Sequence, residues 1–231
     1  HNIPLVLLGA GLLWFGWFGF NAGSALAANT TSAFAFVNTN TATGAALLAW
    51  ILTEKIRDGH ATTLGAASGA VAGLVAITPA CGFVSPMGSI AIGFAAGVVC
   101  ALAVGLKTKL GYDDALDVVG VHLVGGILGA LTIGLFATKM TNSAGANGFF
   151  YKGGWTLMGH QAVAVAAVVA YSFIVTYVLA QILDKTIGLR VSEEAESIGL
   201  DLSQHAETAY ETSSYSDGSR FTSSFTSRQE N

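Results

Sequence analysis

Apolar residues in this chain come in long runs rather than in alternation. Six runs, at about 3–26, 31–53, 61–79, 87–106, 114–138 and 155–183, predict six helices. At ~1.5 Å rise per residue, each is long enough to cross a ~30 Å hydrocarbon layer, some with room to tilt. The breaks between them carry charge, proline or polar residues: EKIRDGH at 54–60, TPACGFVSP at 78–86, KTKLGYDD at 107–114 and KMTNSAGANGFFYKGG at 139–154. Strands would need short alternating segments, which the pattern lacks. The fold class expected is therefore all-α, a polytopic transmembrane helix bundle occupying residues 1–187.

Composition supports that reading. Hydrophobic residues make up 52% of the chain and charged ones 10%, with a mean hydropathy of +0.60, a balance that soluble domains rarely show. The net charge of -4 is local, because Glu193, Glu194, Glu196, Asp201 and Glu207 all lie after the last apolar run. No basic patch exists to meet a nucleic acid. The first apolar run has no basic n-region or cleavage site before it, so it reads as a span rather than a signal peptide.

Loop charges give an orientation. With six spans, Lys55, Arg57, Lys107, Lys109, Lys185 and Arg190 fall on one side, and Lys139 with Lys152 on the other. The positive-inside rule places the first group, and with it both ends of the chain, in the cytoplasm of a cell-membrane protein. Cys81 in a loop and Cys100 deep in a helix are expected to be free thiols, since a bridge needs Cα atoms within ~7 Å.

Glycines spaced by four, at 65/69/73, 93/97 and 125/129, predict close helix contacts, because packing replaces the hydrophobic drive in lipid. The second run is unusually polar, with Asn38, Thr39, Asn40, Thr41 and Thr43 in its middle. Two readings fit: hydrogen bonds between helices, or the lining of a pore. After Gly188 the sequence turns acidic and polar (188–210, a cytoplasmic tail), and residues 211–231 form a Ser/Thr-rich end expected to be disordered.

The chemistry concentrates in two stretches. DDALDVVGVHLVGGILG (113–129) opens with carboxylates and then runs apolar, with His122 as its only titratable group. Along one helix His122 would lie about 12 Å past Asp114. An ionisable group at that depth is costly and usually faces a bundle interior or an aqueous path; a satisfied structural histidine is the other reading. Asp114 and Asp117 suit a helix N-terminus, where negative charge and capping are favourable. In the first run, Phe20 and Ser24 are four apart and share a face. An aromatic face can hold a small cation and a hydroxyl can accept an N–H bond, although an interfacial aromatic belt also fits this run. No second histidine follows His122 at i+4 and no Cys/His cluster exists, so neither a metal nor a cofactor is expected.

GWFGFNAGSA (16–25), NTNTATGAALLAW (38–50), DDALDVVGVHLVGGILG (113–129) and GLRVSEEAESIGLDLSQHAETAY (188–210) resemble the ammonium transporter/Rhesus family, in its bacterial transporter branch. The resemblance runs from His1 to about Tyr210. It implies an eleven-helix fold of two inverted halves, of which this chain matches the six-helix half, and a transporter rather than an enzyme. It also implies that Phe20 is one of two stacked rings closing the outer pore and that Ser24 helps recruit ammonium. His122 would be one of two imidazoles lining a narrow apolar pore, and Asp114 a structurally important carboxylate. The partner histidine, the second gate ring and the recruitment tryptophan belong to the other half, so the chain is expected to be a partial sequence. A homotrimer, one pore per subunit and a PII-type regulatory protein meeting the tail are further implications. An ammonium sensor that signals through the tail is the alternative.

Overall fold

The computed structural model describes residues 2–208, and the Ser/Thr-rich end at 211–231 lies outside them. The described part is helical, with no strands beyond a single bridge between Val84 and Ala137. In chain order come α1 (Ile3–Gly23), α2 (Thr30–Asp58), α3 (Thr63–Ile77), α4 (Pro86–Ala103) and a short α5 (Leu106–Leu110). A π turn over Val119–Leu123 leads into α6 (Val124–Phe136), and a 3-10 turn (Phe149–Tyr151) precedes α7 (Thr156–Thr186). Two short helices, α8 (Glu193–Ile198) and α9 (Leu200–His205), follow. The chain divides into two compact units, one up to Ala170 and one from Tyr171 onward, with α7 contributing to both.

Local sequence accounts for most helix starts. Asn2, Thr62 and Ser85 each accept a backbone N–H three residues ahead, and Pro4 and Pro86 occupy first-turn positions where a missing N–H costs nothing. Asn29 and Ser32 form a reciprocal capping box at the start of α2. The helix does not stop at the charged EKIRD segment, as the loop pattern suggested, but runs five residues further to Gly59, whose φ of +83° ends it. Charges at a helix end lie outside the apolar layer and cost nothing there, so they mark a boundary of burial rather than of helix.

Four helical stretches are long and apolar enough to cross a membrane: Ile3–Gly23, Pro86–Leu110, Val119–Phe136 and Thr156–Thr186. Two of the six expected do not meet that description. Helix α3 has only 15 residues, and α2, with 29, is too polar.

The reason for α2's polarity is its position at the centre of the first unit. Ala42 and Ala46 receive α3 on one side and α4 on the other. A Cβ on Gly73 would lie 2.7 Å from the Ala46 Cβ, and one on Gly93 or Gly97 would strike the carbonyl oxygens of Ala42 or Ala46. Asn38, Thr39 and Thr43 are fully buried there. The Asn38 carboxamide donates to the Cys81 and Val84 carbonyl oxygens at 2.7 and 2.8 Å, pinning the α3–α4 loop. Thr39 accepts from Asn21 of α1, and Thr41 shares a 2.6 Å bond with Ser89 of α4. Bonds between elements thus use the Asn38 amide N–H groups, Thr39 and Thr41, while Thr43 bonds back to the Thr39 carbonyl oxygen of its own helix and the Asn38 Oδ1 stays buried without a partner. Both cysteines are free and buried.

Candidate functional site

The residues singled out from the sequence lie in three places on the first unit. At the end of α1, the Ser24 hydroxyl donates to the Phe20 carbonyl oxygen at 2.6 Å. That bond uses its only proton and leaves the oxygen lone pairs as acceptors. Phe20 is 62% exposed and meets Trp17 edge to face, with ring centroids 6.0 Å apart. Two bonds flank the ring and fix α1 to its neighbours: Trp17 Nε1 donates to Thr78 Oγ1 at 2.8 Å, and the buried Asn21 donates to Thr39 Oγ1 at 2.9 Å.

Phe20 and Ser24 share a cavity of ≈ 430 Å³ with Asn21, Thr31, Phe83 and Asn142. Phe20 also lines a second cavity of ≈ 370 Å³, whose other walls are Leu12, Leu13, Gly16 and Trp17. The ring therefore borders a cavity with polar side chains on its wall and an open groove along α1 lined by apolar residues.

The second place is the start of α6. Asp114 and Asp117 stand before the helix rather than inside it. Asp117 has φ of +57°, a left-handed conformation that Asp tolerates better than most residues, and it turns the chain into the π turn. The Asp114 carboxylate accepts the backbone N–H groups of Val118 and Val119 at 2.8 and 2.9 Å, satisfying two donors of the helix start. Lys107 joins the cluster, with Nζ 2.7 Å from Asp117 Oδ1 and a bond to the Asp114 carbonyl oxygen. The capping role expected of the aspartates is thus visible for Asp114, whereas Asp117 holds a turn and an ion pair.

His122 is the third. It lies within the π turn, in the first turn of its helix, and a non-helical turn separates it from Asp114, so the two do not share one continuous helix. π turns are rare and are frequently found at functional sites. His122 is exposed and borders a cavity of ≈ 300 Å³ walled by α6 and the first half of α7, including Leu123, Ile127, Ala130 and Val165. Gln161 supplies the only other polar side chain on that wall.

The fold therefore brings Phe20 together with Ser24, and Asp114 with Asp117, but keeps His122 in a separate cavity. Trp17, Asn21 and Gln161 were not read from the sequence as site residues. Trp17 had a signal, since it lies three positions before Phe20 on one helix face; Gln161, next to His160 near the start of α7, had none beyond its polarity. Among the described residues no cluster of His, Cys, Asp or Glu could hold a metal ion.

Residues 1–210 match the Ammonium Transporter Family. The ammonium transporter of Mycobacterium tuberculosis is 57% identical over 216 residues, covering 91% of this chain and 45% of that protein. The ammonium transporter of Bacillus subtilis (strain 168) is 53% identical over 214 residues, covering 92% of this chain and 53% of that protein. The crystal structure of Candida albicans Mep2 superimposes with a TM-score of 0.79 at 37% identity, over 84% of this chain and 44% of that one. The chain spans about half the length of the curated relatives it matches. Those relatives are named as transporters rather than enzymes, and with a family match over all of its described residues the chain belongs to the Ammonium Transporter Family.

Proposed function

We propose that this chain supplies one wall of a transmembrane path for ammonium and ammonia, working together with a second, five-helix half. The observation that carries the reading is the placement of Phe20 between a chamber containing an acceptor hydroxyl and a groove that is apolar. Ammonium has four N–H donors and needs acceptors; Ser24, its proton already committed to the Phe20 carbonyl, offers one. Beyond the ring the walls offer almost no compensation for a charge, so passage favours the neutral species. A potassium ion of similar size cannot shed a proton to become neutral and is rejected. His122, in a separate cavity whose wall is apolar apart from Gln161, would lie further along the path and could accept or donate one hydrogen bond to the migrating species.

Six membrane spans with both chain ends in the cytoplasm belong to this reading. The loop charges support them, and α2 and α3 then cross as the internal, polar and short members of the bundle. By resemblance, the protein assembles as a homotrimer with one path per subunit, and residues 188–210 meet neighbouring subunits and a PII-type regulator. Sensing through the tail is the other reading; the geometry around Ser24 and Phe20 supports a transport path and gives that one no observation of its own.

The test is ammonium uptake by the full-length protein reconstituted in liposomes, with Ser24→Ala. Loss of its acceptor is expected to raise the half-saturating ammonium concentration several-fold while the protein still inserts. Uptake identical to the parent at limiting ammonium would remove Ser24 from the path.

A further inference from the structure

The hydrogen bonds around Asn21 fix which way its buried amide points. Thr39 and Thr78 each turn the hydroxyl proton back along the chain, Thr39 Oγ1 donating to the Ala35 carbonyl oxygen and Thr78 Oγ1 to the Leu74 carbonyl oxygen, both at 2.6 Å. A hydroxyl has one proton, so each of these oxygens can only accept from α1. Trp17 Nε1 donates to Thr78, and Asn21 meets Thr39 at 2.9 Å. Asn21 must therefore present its NH2 group there, because its carbonyl oxygen would face a lone pair. With Nδ2 held on α2, the planar amide turns Oδ1 to the other side. Asn21 is only 5% exposed, and the cavity it lines is the one that holds Phe20 and Ser24. Thr39 is fully buried and has no part in that wall. The amide thus reaches from core to cavity, nitrogen inward and oxygen outward. Its Oδ1 takes no bond from the described residues and, unlike Asn38 Oδ1, is not sealed off.

Ser24 supplies a second oxygen on the same wall. Its proton is committed to the Phe20 carbonyl oxygen, so it too can only accept. Asn21 and Ser24 are three apart along α1, a spacing that makes side chains neighbours, with Cβ atoms about 5–6 Å apart. One tetrahedral nitrogen donating two bonds of ~2.9 Å needs its acceptors roughly 4.7 Å apart, which that spacing allows. Both acceptors are neutral, and no carboxylate lines the cavity. Such a seat recognises N–H groups by direction without the stronger, charge-assisted hold of a carboxylate, which would slow release.

We propose that Asn21 Oδ1 is a specificity-determining acceptor for ammonium, sharing one ion with Ser24 Oγ in the chamber beside Phe20. The assignment rests on the transport reading above and adds to it a residue whose orientation is set by Thr39. Ammonium, with four N–H donors, can meet both oxygens and still turn a free N–H toward water in the cavity. Removing the amide oxygen is expected to weaken half-saturation roughly tenfold, or ~1.4 kcal/mol, near the lower end for a hydrogen bond to a charged group.

The experiment measures initial ammonium uptake against concentration, near neutral pH, by the full-length protein in liposomes carrying Asn21→Leu, Asn21→Asp or Ser24→Ala. Both Asn21 variants lose the N–H donor to Thr39, and only the aspartate keeps an acceptor oxygen. Asn21→Leu is expected to raise the half-saturating concentration roughly tenfold. Asn21→Asp is expected to stay at or below the parent value, with a lower maximal rate because the cation is held harder. An equal rise in both variants would assign Asn21 to the Thr39 bond alone and overturn the proposal, as would a parent-like Asn21→Leu. Ser24→Ala separates this from the transport reading. A raised value there beside an unchanged Asn21→Leu sinks only the Asn21 assignment, whereas parent-like values in both remove the chamber from the path. Oligomer mass and circular dichroism report folding. If Asn21→Leu fails to insert, Asn21→Asp decides alone: half-saturation at or below the parent supports the proposal, and a several-fold rise overturns it.

Discussion

Gly125 and Gly129 look equivalent in the sequence, one helical turn apart in a small-residue row, yet replacing them with alanine is expected to give opposite results. A Cβ on Gly129 would strike the Ala76 carbonyl oxygen of α3 and lie 2.8 Å from the Ala76 Cα. Non-bonded carbons rest at about 3.5–4.0 Å, so the backbones of α3 and α6 must separate by roughly 1 Å. No rotamer change relieves this, because the obstructing atoms are main chain. Overpacking of this kind costs about 1–3 kcal/mol, at the upper end when two helices must move together. A Cβ on Gly125 meets the Cys100 Sγ and Val75 Cγ1 at 3.4 Å, within ordinary contact. Gly125→Ala therefore fills existing space, and the helix gains up to ~1 kcal/mol from alanine's propensity. The assay is the thermal midpoint of the full-length protein in detergent, followed as the fraction that stays monodisperse on size-exclusion chromatography. Gly129→Ala should fall by several degrees while Gly125→Ala equals or exceeds the parent. A Gly129→Ala midpoint at or above the parent would refute the argument that backbone contact sets the α3–α6 spacing.

Other outcomes follow from the same geometry. Burial pushes the Cys81 thiol up to about 11, so maleimide labelling of the folded protein should be slow near neutral pH and accelerate as pH rises toward that value; rapid labelling at pH 7 would show the α3–α4 loop to be open. Asp114→Ala leaves the Val118 and Val119 N–H groups without their acceptor and should cost about 1–2 kcal/mol in thermal stability, against a smaller loss for Lys107→Gln, which removes a solvent-screened ion pair; equal losses would contradict the capping role. Deleting from Gly188 onward should lower uptake or its regulation whereas deleting only 211–231 should do little, as measured by ammonium uptake in cells; equal effects would remove the distinction between the two parts of the tail.

Helix identity and the family's motifs were legible in the sequence because long apolar runs leave the backbone few alternatives. Where the helices end was less so. The EKIRD charges looked like a loop but decorate the last turn of α2, since apolarity reports burial and says little about hydrogen bonding beyond the buried zone. The start of α6 was misplaced for a different reason. Asp117's left-handed backbone has no signature when the residue is not glycine, and it puts a turn between Asp114 and the helix that carries His122. The glycine rows announced close packing at 69/73 and 93/97, but only three-dimensional placement separates Gly129, which is in backbone contact, from Gly125, which is not. Phe20 and Ser24 were found together because four residues on one helix share a face. The bond that commits the Ser24 proton depends on how α1 ends, and the cavity around His122 depends on a helix more than thirty residues away.

A transport path along this chain is tested most directly at His122. In full-length protein reconstituted in liposomes, ammonium-driven current and internal pH change should both respond to His122→Ala, through altered conduction or a lost preference for ammonium over potassium, while insertion and oligomer mass match the parent. Flux and selectivity both unchanged from the parent would show the imidazole to be structural and would contradict a transport path running past it.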